Sequence, residues 1–295
     1  MAANTRDIRR RIKSVKNTAQ ITKAMQMVAA AKMRKAQQAA LGGRPYAELL
    51  NRTLTAVSAG TADGAHELMK VREVKKELVI VISTDKGLCG ALNTNLLREV
   101  AKFDSEKTIF VAVGRKSVQY LVRTKRTLAA EFELKDNFTF LQSKSVSKFA
   151  MDKFTSGEVD RVTVLFTDFI NTLTQIPKAS TIIPIGSLAV TVGIGGAQED
   201  AKVEAKGGES SDYTFEPDQA GVLSAILPHF VHFQVYQMIL DSRASEHSSR
   251  MVAMKNATDN AKQLIKDLTL EYNKVRQAAI TTELLEITTA QMALG

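Results

Sequence analysis

The sequence predicts an α/β domain, Rossmann-like with a mixed sheet, inserted between the legs of a long antiparallel two-helix coiled coil. Three observations predict it. From His229 to Leu294 there is neither Pro nor Gly, the two residues that most reliably stop a helix. From Met1 to Leu41 there is again neither. Between these stretches, continuous β-branched runs alternate with amphipathic ones, the pattern of a covered and largely parallel sheet. The expected divisions are an N-terminal helical leg over 1–59, an α/β domain over 75–212 and a C-terminal leg over 217–295.

Met254, Ala257, Ala261, Leu264, Leu268, Tyr272, Val275 and Ala279 recur at spacings of three and four, the seam of a helix packed lengthwise on one partner. At its ordinary rise such a helix is about 100 Å long, several times the width of a small domain, so it projects. The partner is the N-terminal stretch. Ile8, Ile12, Val15 and Ala19, then Ile21, Met25 and Val28, form a second narrow seam whose spacing slips once between Val15 and Ile21. Two such seams cover one another, and a domain between them lets the legs run antiparallel. Gly42, Gly43 and Pro45 interrupt the first leg before it resumes from Tyr46 to Ala59. A kink and a true break both satisfy that pattern.

In the middle, Leu78–Ile82 and Ile109–Val113 read as strands buried on both faces, and Val162–Phe166 as a third. Leu128–Leu134 and Thr181–Ile185 are weaker strands. Helices are expected at Ala91–Phe103, Arg115–Val122 and Val146–Phe154. Strand, crossover and strand again is the βαβ unit of a parallel sheet, and the last two strands are close enough to form a hairpin, which makes the sheet mixed. Gly60, Asp63 and Gly64 mark a loop, and Gly193–Asp212 reads as a solvated one. Pro217 and Pro228 frame a helical turn, with Pro228 in the first turn of the terminal helix.

The net charge of +9 is unevenly placed. Residues 1–35 carry Arg6, Arg9, Arg10, Arg11, Lys13, Lys16, Lys23, Lys32, Arg34 and Lys35 against one acid, Asp7, an excess equal to the whole net charge. A basic helix suits nucleic acid, an anionic membrane surface or an acidic protein surface, and its bland reading is a solvated face. The single Cys89 excludes an internal disulfide. No apolar run approaches the roughly 18 residues of a membrane span.

Candidate chemistry is thin. Ser83–Gly90 follows a buried strand and precedes a helix, where α/β proteins hold phosphates, but its glycines fit neither nucleotide-binding pattern. His229 and His232, three apart on a helix, lack a third metal ligand within a turn. Asp85 with Lys86, and Glu246 with His247, lack the convergent third group of a catalytic site. No catalytic residue, cofactor or metal site is expected. Met25, Met27, Met33, Met251 and Met254 fit both flexible core filler and slippery contacts to an outer partner.

Three blocks carry a family resemblance: Ile21-Thr22-Lys23-Ala24-Met25-Gln26-Met27-Val28-Ala29-Ala30-Ala31-Lys32-Met33-Arg34, then Ser83–Gly90, then the C-terminal run containing Glu246–Ala261 and Tyr272–Thr281. They resemble the γ subunits of F-type ATP synthases, in order and at family-like spacing from about Asn4 to Leu294. The paired-cysteine loop of chloroplast members is missing, so redox switching of that kind is not expected. The similarity begins almost at Met1, which implies a bacterial chain without a cleaved leader.

The resemblance implies a central rotor shaft without an active site of its own, coupling proton flow to ATP synthesis or hydrolysis at catalytic sites on other subunits. The implied partners are a ring of three α and three β subunits, the ε subunit and the membrane c-ring. The implied location is peripheral, on the cytoplasmic face of the bacterial plasma membrane. By the same resemblance Lys23, Met25, Arg276, Gln277, Thr281 and Glu286 contact β, with Lys23 and Arg276 near Met25. The rival readings are a basic nucleic-acid-binding helical hairpin and an α/β enzyme with helical arms. The first lacks stacking aromatics in residues 1–41, and the second lacks a convergent site.

Overall fold

A computed structural model describes residues 5–58, 66–135, 138–185, 216 and 218–294. The expected loops at Gly60–Gly64 and Gly193–Asp212, and Pro217, lie outside the described residues. Contacts divide the chain into two compact units, Ala30–Ser249 and the pair Met1–Ala29 with Arg250–Gly295. Two helices run through both: α1 (Thr5–Gly42) and a C-terminal helix, Gln219–Leu294.

The larger unit is built on five strands, β1 (Glu77–Ile82), β2 (Thr108–Val113), β3 (Leu128–Phe132), β4 (Arg161–Phe169) and β5 (Gln175–Ile183). Their order is β3-β2-β1-β4-β5. The first four are parallel and β5 is antiparallel to β4, as the short connection requires. Between the strands stand α2 (Arg44–Ser58), α3 (Leu92–Val100), α4 (Arg115–Arg123) and α5 (Phe140–Thr155), and the C-terminal helix is α6.

Central β1 shows why its sequence has no polar alternation. Leu78, Ile80 and Ile82 pack with residues of α2, α5 and α6 on one face. Val79 and Val81 pack with Leu96 and Val100 of α3 and Leu121 of α4 on the other. Both faces are dry, so both need apolar side chains. At the end of β2, Gly114 has a φ of +100°, and a Cβ there would collide with the Ser83 carbonyl, so only glycine fits that turn.

Three expectations are corrected. Strand β5 begins at Gln175, well before Thr181; its first half is half exposed and carries Pro177, which an edge strand tolerates because no strand among the described residues pairs on its outer side. Helix α5 starts at Phe140, where Thr139 and Gln142 form a reciprocal capping box. Pro228 lies inside α6 rather than in its first turn. It deprives the Ser224 carbonyl of its usual donor, but Leu223, Leu227, Phe230 and Val231 around it are buried in the core, and packing outweighs the lost bond.

At Gly43 the first leg breaks. Its N–H donates to Ala40 O at 3.2 Å, and Gln237 Nε2 donates to the same carbonyl at 3.2 Å. A Cβ at Gly43 would stand 3.1 Å from Gln237 Oε1, which explains a glycine where α6 crosses closely. Pro45 then sits in the first turn of α2, where its missing N–H is harmless.

In the smaller unit the seam differs from the expected one. On α6 it runs Met254, Thr258, Ala261, Ile265, Leu268, Tyr272, Val275, a strict alternation of four and three. Leu264 gives way to Ile265, Ala257 stays half-buried beside the buried Thr258, and Ala279 is exposed. On α1 it runs Ile8, Ile12, Val15, Ala19, Thr22, Gln26, Ala29, with no slip. Ile21 is 60% exposed and Val28 55% exposed. The legs are antiparallel: Thr22 pairs with Thr258, and Ala40 with Gln237, numbers falling on one leg as they rise on the other. Met33 and Met254 are buried filler, while Met27 is exposed.

Candidate functional site

In open α/β sheets ligands bind outside the carboxyl ends of the strands, where the chain order reverses. Here that point lies between β1 and β4. The loop after β1 is drawn tight by its own groups: Thr84 Oγ1 donates to Lys86 O at 2.8 Å, and Asn93 Nδ2 donates to Thr84 Oγ1 at 2.7 Å and to Cys89 Sγ at 3.3 Å. Ser83–Gly90 is therefore a closed turn with a buried thiol.

What fills the crevice is α6. Thr167 N–H donates to Ser242 Oγ at 3.2 Å, and Ser245 Oγ returns a bond to Thr167 O at 3.1 Å. One turn on, Ser248 Oγ donates to Thr172 O at 2.8 Å and Ser249 Oγ to Cys89 O at 2.7 Å. Short serines let the helix approach the strand ends while satisfying backbone groups that no strand reaches. The void left, lined by Ser83, Thr84, Ser242, Arg243 and Glu246 among others, is about 10 Å³, no more than a single water.

A buried ion cluster fastens this contact. Arg243 donates to Glu246 Oε2 at 2.9 Å, to Asp85 Oδ2 at 3.3 Å and to the Leu134 carbonyl. Asp85 Oδ1 also accepts Arg115 N–H at 3.2 Å. Sequence reasoning noticed Asp85 and Glu246 separately but missed Arg243, the cation they share.

His229 and His232 are drawn to different partners. His229 Nε2 meets the Tyr46 hydroxyl, and His232 Nδ1 lies 2.6 Å from Ser147 Oγ. Burial lowers both imidazoles, with the Lys144 cation adding to it; His232 is lowered to about 4, with His229 contributing as well. They are neutral packing residues joining α2, α5 and α6. A pH dependence follows. As pH falls below about 6.5 the unfolded chain takes up a proton that folded His232 refuses until about 4. Stability is therefore fully present above 6.5 and declines through that window, by on the order of 1 kcal/mol once partial exposure is allowed for. His232→Gln should flatten the slope of unfolding free energy against pH between those values; an equal slope would contradict the assignment.

The residues expected to contact a partner lie in the smaller unit. Lys23 is exposed and Met25 half-buried on α1; Arg276, Gln277, Thr281 and Glu286 are all exposed on α6. The structure does not bring the two sets together. The Thr22–Thr258 pairing puts Met25 level with about residue 255, roughly six turns or 30 Å from Arg276, so Arg276 is not its neighbour. Beyond Val275, every residue from Arg276 to Met292 is exposed, including Ile280, Leu284, Leu285 and Ile287. A helix end so apolar and so bare needs cover from another chain.

An α/β unit whose ligand crevice is filled by its own helix, together with a paired-helix unit bearing a bare apolar end, defines a mechanical subunit of a larger assembly. The family model described as ATP synthase matches residues 4–294, and the chain belongs to that family. It is 49% identical to the ATP synthase gamma chain of Opitutus terrae over 99% of each chain. It is 48% identical to that of Methylacidiphilum infernorum, over 99% of this chain and all of the relative.

Two solved structures share the fold. A chain of the Euglena gracilis mitochondrial ATP synthase, OSCP/F1/c-ring in rotational state 3, superposes with a TM-score of 0.67 at 19% identity, covering 98% of this chain and 94% of that one. A chain of the Tetrahymena thermophila mitochondrial ATP synthase central stalk/c-ring gives 0.59 at 24%, covering 80% and 99%. Nothing in these comparisons supports the nucleic-acid reading. Among the described residues no helix is long and apolar enough to cross a membrane.

Proposed function

We infer that the chain is the central rotor shaft, the γ subunit, of an F-type ATP synthase, a non-catalytic part that couples proton flow to ATP synthesis or hydrolysis. The observation that carries this reading is the bare apolar end of α6 beyond Val275, which calls for a sleeve of other chains. A ring of three α and three β subunits supplies that sleeve. The α/β unit serves as the foot, bound to ε and the c-ring, on the cytoplasmic face of the bacterial plasma membrane. In these terms the working divisions are a shaft leg over 1–59, a foot over 75–212 and a second leg over 217–295. The mechanism is rigid-body switching: an asymmetric shaft turns, and each catalytic site meets a different face in turn. Co-expression with cognate α and β should yield a complex of three α, three β and one copy of this chain; recovery of an α/β ring that excludes it would sink the reading.

In this reading Lys23, Met25, Arg276, Gln277, Thr281 and Glu286 touch β at two levels of the shaft. Met25→Lys is then expected to slow turnover and weaken coupling more than assembly. Methionine slides past neighbours with no directional bond, while lysine there finds a carboxylate or stays poorly solvated. A charged hydrogen bond of about 1.5–3 kcal/mol would favour one rotor angle, and each 1.4 kcal/mol of added barrier is about tenfold in rate. The check is ATPase rate and protons pumped per ATP in assembled complex. Values equal to wild type would place Met25 away from β.

A further inference from the structure

Beside their seam the paired helices leave apolar residues exposed, Ile21 and Val28 on α1 and Leu264 on α6, with Met25 and Ala257 half-buried at its edge. On α1, Ile21, Met25 and Val28 keep three- and four-residue spacing one position before the packed Thr22, Gln26 and Ala29. On α6, Ala257 and Leu264 stand one position before the packed Thr258 and Ile265. One position is about 100° of helix, so a local slip between Val15 and Ile21 would roll the greasier stripe into the seam. By transfer free energy alone, burying Ile21 and Val28 is better than burying Thr22, Gln26 and Ala29. Apolar burial therefore does not select the face that packs.

What the packed face holds is a half-buried hydrogen bond. Thr258 is 3% exposed, and its Oγ1 lies 2.7 Å from Thr22 Oγ1. Each hydroxyl has one hydrogen. Thr258 Oγ1 is 2.8 Å from Met254 O, whereas Thr22 Oγ1 is 3.1 Å from Ala19 O. The two hydroxyls thus link across the seam while each also reaches a carbonyl of its own helix, Thr22 that of Ala19 and Thr258 that of Met254. A single polar contact in an apolar seam fixes register at some cost in stability.

We propose that the Thr22–Thr258 bond is a register lock. It holds residues 21–29 of α1 in the unbroken heptad frame and so presents Ile21, Met27 and Val28 outward as an apolar strip for an outer partner. The lock itself needs nothing from the rotor reading; its consequence for coupling rests on it, because the strip is then part of what the surrounding subunits meet.

The test uses the full chain with nitroxides at Ala24→Cys and Lys266→Cys, both exposed, the buried Cys89 being inaccessible to the label. Replacing both hydroxyls by isosteric methyls in T22V/T258V leaves no orphaned polar group, so folding should persist. The chain with both threonines, and T22S/T258S, should give one narrow spin–spin distance. T22V/T258V should give a broadened or second distance at an unchanged melting temperature. A single unchanged distance in T22V/T258V would overturn the lock. In the complete complex, membrane sector included and sealed into vesicles, the same variant should pump at least twofold fewer protons per ATP; broadened distances with wild-type pumping would overturn the link to coupling. Failure of the wild-type chain to join α and β would count against the rotor reading instead and leave the distance result standing.

Discussion

Arg243→Ala is expected to cost the larger unit about 3–5 kcal/mol, the penalty for removing one partner of a buried ion cluster. Arg243 is 5% exposed and Glu246 4%, so the lost charge contact is a buried one that water does not replace. The Leu134 carbonyl and Asp85 lose the same donor, and with them goes the fastening of α6 to the loops after β1 and β3. Arg243→Lys keeps the charge but not the fork that reaches three acceptors, so it should recover only part. Removing Glu246 as well, in Arg243→Ala/Glu246→Ala, should be less damaging than the sum of the single changes, because the two side chains share one contact. Urea unfolding monitored by circular dichroism measures all of these. A loss under about 1 kcal/mol for Arg243→Ala would mean the cluster is not what holds α6 in the crevice.

Leu268→Pro is expected to destroy the paired helices locally while sparing the α/β unit. Proline inside a helix removes a backbone bond and clashes with the preceding turn, at about 3 kcal/mol or more. Leu268 is also a buried seam residue, so its packing is lost too. The contacts that hold Ala30–Ser249 together are internal to that unit, so it should still melt cooperatively. Leu270, 71% exposed on the same turn, supplies the control: Leu270→Ala should leave stability within about 0.5 kcal/mol. The readouts are helical circular dichroism and the yield of complex with α and β. Normal assembly of Leu268→Pro would show that α6 need not be continuous.

The sheet was legible because β1, β2 and β4 are covered on both faces, which favours near-continuous apolar runs, unbroken at Leu78–Ile82 and at Ile109–Val113 and interrupted only by Thr163 at Val162–Phe166. Edge strand β5 was half missed for the converse reason: with one side unpaired it tolerates Pro177 and polar residues, and its apolar signal fades. The two legs were legible from the absence of Gly and Pro, but the face that packs was not. Pattern counting prefers Ile21 and Val28 to Thr22 and Ala29, whereas a hydrogen bond across the seam is invisible until both helices are in place. The crevice is similar. Asp85 and Arg243 lie 158 residues apart, and a lone arginine inside a helix gives no sign that its partners sit on a distant loop. The bare end of α6 carried no distinguishing pattern either, because a residue covered by another chain obeys the same spacing as one covered by its own.

As a rotor shaft, this chain turns inside a ring of α and β subunits. The most direct measurement fixes cognate α and β subunits to a surface, with this chain assembled among them, and follows a bead attached to the α/β unit while ATP is supplied. The expected result is one-way rotation in steps of a third of a turn, one for each catalytic β. A bead that stays fixed in an intact complex that is hydrolysing ATP would contradict it.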